Sequence, residues 1–188
     1  MRLYSVALFL HVVGAMLLFI TLTVEGITLR YLRRATTADQ VQVWGSVAGL
    51  TGVIGPVSAI LVIVPGLYML ATTWGWVAWI ATGLVGWLLI VVLGTFIGIR
   101  LNRGARTAAG QGLTGRSLEA SLGYPLLLAL WQTLVAMALG IVFLMTVKPA
   151  GGLPALVLGV AAAIGLASGV PQLRRTRSQN TANKESLT

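Results

Sequence analysis

The side chains able to do chemistry are few. His11, the only histidine, stands inside an apolar run, and Glu25 closes the same run fourteen residues later. An ionisable group in a hydrocarbon layer is costly and ordinarily faces protein or a water-filled cavity, which makes His11 the leading candidate for a functional role. The alternative is a neutral imidazole hydrogen-bonded to a neighbouring helix. Glu25 lies on the same helical stripe, about 21 Å away at 1.5 Å per residue, too far to share a proton with His11 directly. It is expected to pair with Arg30 or Arg100 at the interface. Gln132, beside Trp131, and Ser58, after Pro56, are polar near mid-membrane, and Thr82 lies at the depth of His11. A metal or haem on His11 would require further ligands, for which Met16, Met69, Met137 and Met145 are soft candidates. Paired carboxylates, a second histidine and a nucleophile with its base are all missing, so no enzyme is expected.

The elements that must hold these groups are set by composition. The chain is 57% hydrophobic and 9% charged, against roughly a quarter charged in soluble domains. Its charges fall in clusters that leave apolar stretches long enough to cross a bilayer. An all-α bundle of about five transmembrane helices is predicted, at about 3–24, 47–71, 76–99, 124–147 and 154–170. Residues 1–171 form one membrane domain, and 172–188 a basic, disordered cytoplasmic tail beginning where Pro171 ends the last helix. The stretch from Leu3 to Val24 exceeds a signal-peptide core and no cleavage site follows, so it reads as a retained first helix. Residues 35–42 and 100–123 read as polar connectors, the latter with a short amphipathic piece around 116–122.

Orientation follows from the basic residues. With the amino terminus outside, only Arg2 and Lys148 of the 13 lysines and arginines face outward, and the rest gather on the cytoplasmic side. The net charge of +9 is therefore read as topology and attraction to anionic lipid headgroups, not as a nucleic-acid surface. Trp74, Trp76 and Trp79 mark the outer boundary and Trp44 the inner one, as an aromatic belt. There are no cysteines, which removes disulfides and thiolate metal sites.

Small residues at four-residue spacing, Gly94 with Gly98 and Ala161 with Gly165 and Gly169, permit close helix crossing. They serve packing within the chain or a homo-oligomer. At the depth of His11 the other helices carry Pro65, Gly66, Thr82, Gly83, Gly140 and Ala161, which leave room for a pocket or for tight contact.

The segments LHVVGAM (10–16), TLRYLRRA (28–35) and LMTVKP (144–149) together resemble a family of small bacterial integral membrane proteins of unknown function. More distantly, a histidine early in the first helix is similar to the membrane domain of copper-resistance D proteins, whose pattern implies several histidines where this chain has one. These resemblances imply a bacterial inner membrane, with copper or haem as the cofactors to consider. The expected function is an accessory or oligomeric membrane module. The alternatives are a small-solute permease and a haem- or metal-binding protein using His11.

Overall fold

The computed structural model describes residues 2–185, with side chains through residue 169. Six α-helices follow in order: α1 (Arg2–Arg34), α2 (Ala38–Met69), α3 (Ala78–Gly110), α4 (Gly115–Leu122), α5 (Tyr124–Val147) and α6 (Leu153–Glu185). A π-helical turn, Leu70–Trp74, widens the end of α2. No strand occurs among the described residues.

Four segments are long and apolar enough to cross a membrane: Arg2–Arg34, Ala38–Trp74, Ala78–Gly110 and Tyr124–Val147. Leu153–Gly169 is apolar but shorter. The outer surface agrees with a lipid environment. Val53, Ile60, Val85 and Ile164 are all more than half exposed, an arrangement that water would penalise by roughly 25 cal/mol per Å² and hydrocarbon would not.

Several helices are longer than the sequence reading allowed. α2 starts at Ala38 instead of near Val47, because Thr37 takes extended backbone and its hydroxyl accepts the amide of Gln40 at 3.3 Å. Asp39 in the first turn adds a charge of the favourable sign. α3 continues past Ile99 to Gly110, where a polar loop was expected. Its arginines face outward while Ile97, Leu101, Ala105 and Ala108 are fully buried at helical spacing, so packing of one stripe holds the extension. The amphipathic piece before the next span is α4. α6 does not end at Pro171, where the sequence placed its boundary and a disordered tail. The backbone remains helical to Glu185, since one missing donor interrupts a single bond and 172–185 holds no further proline and no glycine.

In cross-section α1, α2, α3 and α5 form a closed ring, each touching the next, and α6 lies outside it against α5 and α3. At the α1–α2 seam a side chain on Gly14 would come within 2.7 Å of the Leu61 backbone. At the α1–α5 seam the Trp131 ring lies flush on Gly26, and its Nε1 donates to the Leu22 carbonyl at 2.7 Å. The small-residue ladder of α6 is consumed inside the chain: Gly165 meets the Thr133 backbone and Gly169 meets Ala129.

The two ends of the ring differ. One gathers Tyr4, Trp74, Trp79 and Lys148, with Lys148 Nζ 4.1 Å from the centre of the Trp74 ring. The other is clamped by the Arg33–Glu119 ion pair at 3.1 Å, the Tyr31–Trp44 stack, Arg100 Nε donating to Leu122 O and the Gly115 amide donating to Ala35 O.

Candidate functional site

Two cavities lie along the ring, one toward each end, and both are partly open at the seams between helices, where Ile60 and Ile99 of one and Met16 and Leu67 of the other are exposed. The first, about 520 Å³, lies at the tryptophan end, walled by Tyr4, His11, Met16, Met69, Trp79 and Met145 among others. The second, about 460 Å³, lies toward the arginine end and is walled by Leu22, Glu25, Thr51, Pro56, Gly98 and Asn102 with apolar neighbours. Leu18 and Trp87 line both, and so form the partition between them.

His11 projects from α1 onto the wall of the tryptophan-end cavity. Its Nδ1 is 2.8 Å from the Val62 carbonyl, opposite Gly66, where a Cβ would lie 3.3 Å from that nitrogen. With Nδ1 donating to the carbonyl, Nε2 keeps its lone pair. Of the four methionines considered beside it, Met16, Met69 and Met145 share this cavity and Met137 packs in the core. Among the described residues no group of three His, Cys, Asp or Glu side chains could hold a metal ion.

Glu25 is 3% exposed and stands on the wall of the other cavity. The pairing expected with Arg30 or Arg100 does not occur: Arg100 donates to Leu122 O, and the single ion pair among the described residues joins Arg33 to Glu119. Glu25 Oε2 is buried with no hydrogen-bond partner. Glu25 is buried against the cavity, whereas Arg30 is exposed and Arg100 is bonded to Leu122 O.

Thr51 and Asn102 line the same cavity as this carboxylate. The Thr51 hydroxyl gives its proton to the Ala48 carbonyl at 2.7 Å, leaving lone pairs free to accept. A methyl on Gly98 would lie 3.9 Å from both Glu25 Oε1 and Thr51 Oγ1, so the absence of a side chain there keeps the space between them open. One turn further along α3, Asn102 lines the same cavity with its Oδ1 buried and unpartnered. Pro56 has no amide to offer the carbonyl of Gly52, which also lines the wall.

Ser58 is fully buried on this wall and donates to the Gly14 carbonyl at 3.0 Å, so it joins α2 to α1. Thr82 is half-buried and lines neither cavity. Gln132 faces α6, where its Oε1 accepts from Ser168 Oγ at 3.1 Å. The structure thus separates His11 from Glu25 into different cavities, keeps Ser58 beside the second, and gives Thr82 and Gln132 no part in either. Thr51 and Asn102 were missed from sequence. Asn102 fell in a supposed loop, and the signal for it was the four-residue spacing of Gly94, Gly98 and Asn102 on one face.

No protein-family model matches the chain, no curated protein matches it, and no solved structure matches it.

Proposed function

We propose that this protein is a small-solute permease of the bacterial inner membrane, with five spanning helices, its amino terminus outside and its arginine-rich end against the anionic headgroups of the cytoplasmic leaflet. The observation that carries the reading is the pair of cavities, one toward each end of the ring, that share Leu18 and Trp87 as wall residues. A packing module has no need of two such cavities in line, whereas a carrier needs a site reached from each side in turn. The bias of basic residues supports the direction, and the exposed Arg33–Glu119 pair at the arginine end is weak enough to part when that side opens.

The native chain has no cysteine, so single cysteines report access cleanly. Leu8→Cys lies in the tryptophan-end cavity, and Gly52→Cys lies in the other, where its new side chain meets nothing within 4 Å. In oriented membrane vesicles a water-soluble maleimide is expected to reach Leu8→Cys from the periplasmic side and Gly52→Cys from the cytoplasmic side. Adding Leu18→Ala is expected to open Gly52→Cys to the periplasmic side as well. Failure of either cysteine to react from any aqueous side would mean lipid-filled voids and sink the reading.

A second reading is favoured by the tryptophan-end cavity. His11 offers Nε2 while its Nδ1 is held by a backbone carbonyl, the arrangement typical of ligating histidines, and Met16, Met69 and Met145 line the same space. These groups suit a soft metal such as copper(I), or a haem. Protein purified in mild detergent would then carry stoichiometric metal or a Soret band that His11→Ala abolishes. Colourless, metal-free preparations would discard this reading.

A further inference from the structure

We infer that the cavity at the arginine end recognises a protonated amine with an apolar body, Glu25 serving as its counter-ion. The inference rests on the permease reading for its biological sense, but the binding site stands on its own geometry.

The one ionisable group on the wall of this cavity is a carboxylate, and unpartnered acceptors lie with it. Glu25 brings a carboxylate with one buried oxygen unpartnered. Thr51 has already donated its proton to Ala48. Asn102 presents an unpartnered Oδ1, and Gly52 a carbonyl that Pro56 cannot serve. The wall holds one carboxylate and no Lys, Arg or His, so its charge disfavours carboxylates and phosphates and gives an alcohol no ionic partner. An ammonium group supplies what is missing, with N–H donors and one positive charge for one carboxylate. Acceptors left unpaired in a buried site are costly, so selectivity for a ligand that satisfies them is steep.

Size and wall chemistry exclude a bare metal ion as the best occupant. About 460 Å³ is many times the room an inorganic cation needs, and most of the wall is apolar, with Leu18, Leu22, Ile90, Val91, Leu134 and the face of Trp87. The acceptors cluster near Gly98 toward one end of the cavity, while Trp87 closes the other. A ligand with a charged head and an apolar or aromatic body fits both ends, and an indole face adds attraction for a cation passing the partition.

The test uses the full chain in mild detergent, with tryptophan emission as the readout and phenethylammonium as the probe. Its neutral isostere, 2-phenylethanol, and its acidic counterpart, 3-phenylpropionate, are measured in parallel. Saturable binding of the ammonium is expected, at least tenfold tighter than the alcohol, with no binding of the carboxylate. Glu25→Gln keeps the shape and is expected to lower ammonium affinity at least tenfold while leaving the alcohol unchanged. Circular dichroism and gel filtration confirm that the variant is folded. Should it not fold, Gly98→Leu, which fills the space between Glu25 and Thr51, is expected to remove binding of both ligands. Equal affinity for ammonium and alcohol, an unaltered ammonium affinity in the folded variants, or no saturable binding of the amine would overturn the assignment. Cysteine labelling of the cavities is scored separately: a failed amine test leaves the permease reading standing, whereas cysteines that react but gain no access from the second side when Leu18→Ala is added would remove the permease reading and leave the binding site standing.

Discussion

Gly14→Ala tests how the ring is closed. Gly14 is buried at the α1–α2 crossing, and a Cβ there would lie 2.7 Å from the Leu61 carbonyl carbon and 2.8 Å from both Leu61 Cβ and the Val62 nitrogen. None of these atoms can rotate away. Restoring ordinary carbon contacts of about 3.5 Å requires the helices to part by roughly 0.8 Å. That shift would stretch the Ser58–Gly14 bond from 3.0 Å and the His11–Val62 bond from 2.8 Å beyond useful length. Overpacking costs about 1–3 kcal/mol and the two interhelical bonds about 0.6 kcal/mol each, against roughly 1 kcal/mol of helix propensity gained by alanine. The expected net loss is about 1–3 kcal/mol, a factor of about 5 to 150 in the folding equilibrium. Gly49→Ala is the control, since nothing lies within 4 Å of its Cβ position, and it should be neutral or slightly stabilising. Unfolding in mixed micelles by added dodecyl sulfate, followed by circular dichroism, measures both. A Gly14→Ala protein as stable as the Gly49→Ala control would refute the close crossing.

Trp131→Phe removes the 2.7 Å bond to the Leu22 carbonyl and should cost about 0.6–1.7 kcal/mol in the same titration; no change would mean the bond is replaced elsewhere. Arg33→Gln breaks an exposed pair with Glu119 and a contact over the Tyr124 ring, and the expected loss is under about 1 kcal/mol. A larger loss would show that the clamp at that end is cooperative. Lys148→Met removes a cation held 4.1 Å from the Trp74 ring centre and 5.9 Å from that of Trp79. Tryptophan emission should shift with helicity retained, and an unaltered spectrum would deny the contact.

The helical architecture was legible because clustered charges and long apolar runs leave few alternatives to a membrane bundle. The span of α5 was read to the residue, helped by Pro125 in its first turn and Lys148 after it. The ends of α2 and α3 were not. Thr37 caps a helix whose first turn, Ala38 to Gln42, is largely polar, and the buried stripe of α3 beyond Ile99 runs through a segment whose arginines suggested a loop. Of the candidate site, His11 and Glu25 were legible by charge in an apolar setting. The salt bridge assigned to Glu25 failed because sequence distance along a helix does not say which way a side chain faces. Asn102 continues the four-residue spacing of Gly94 and Gly98, but that Thr51 of α2 and Glu25 of α1 meet this face at Gly98 is a long-range fact that no local pattern encodes.

The Trp131–Leu22 bond joins residues 109 positions apart. At about 5–20 residues per second, a ribosome takes roughly 5–20 s to make that interval. During it the α1–α2 hairpin sits in the membrane with Gly26 uncovered and Glu25 facing an unfinished wall. The ring therefore closes late in biosynthesis, when α5 arrives and Trp131 comes to rest on Gly26. A nascent protein of this design spends its most vulnerable seconds with its carboxylate in lipid, which makes prompt delivery of α5 a condition of its survival.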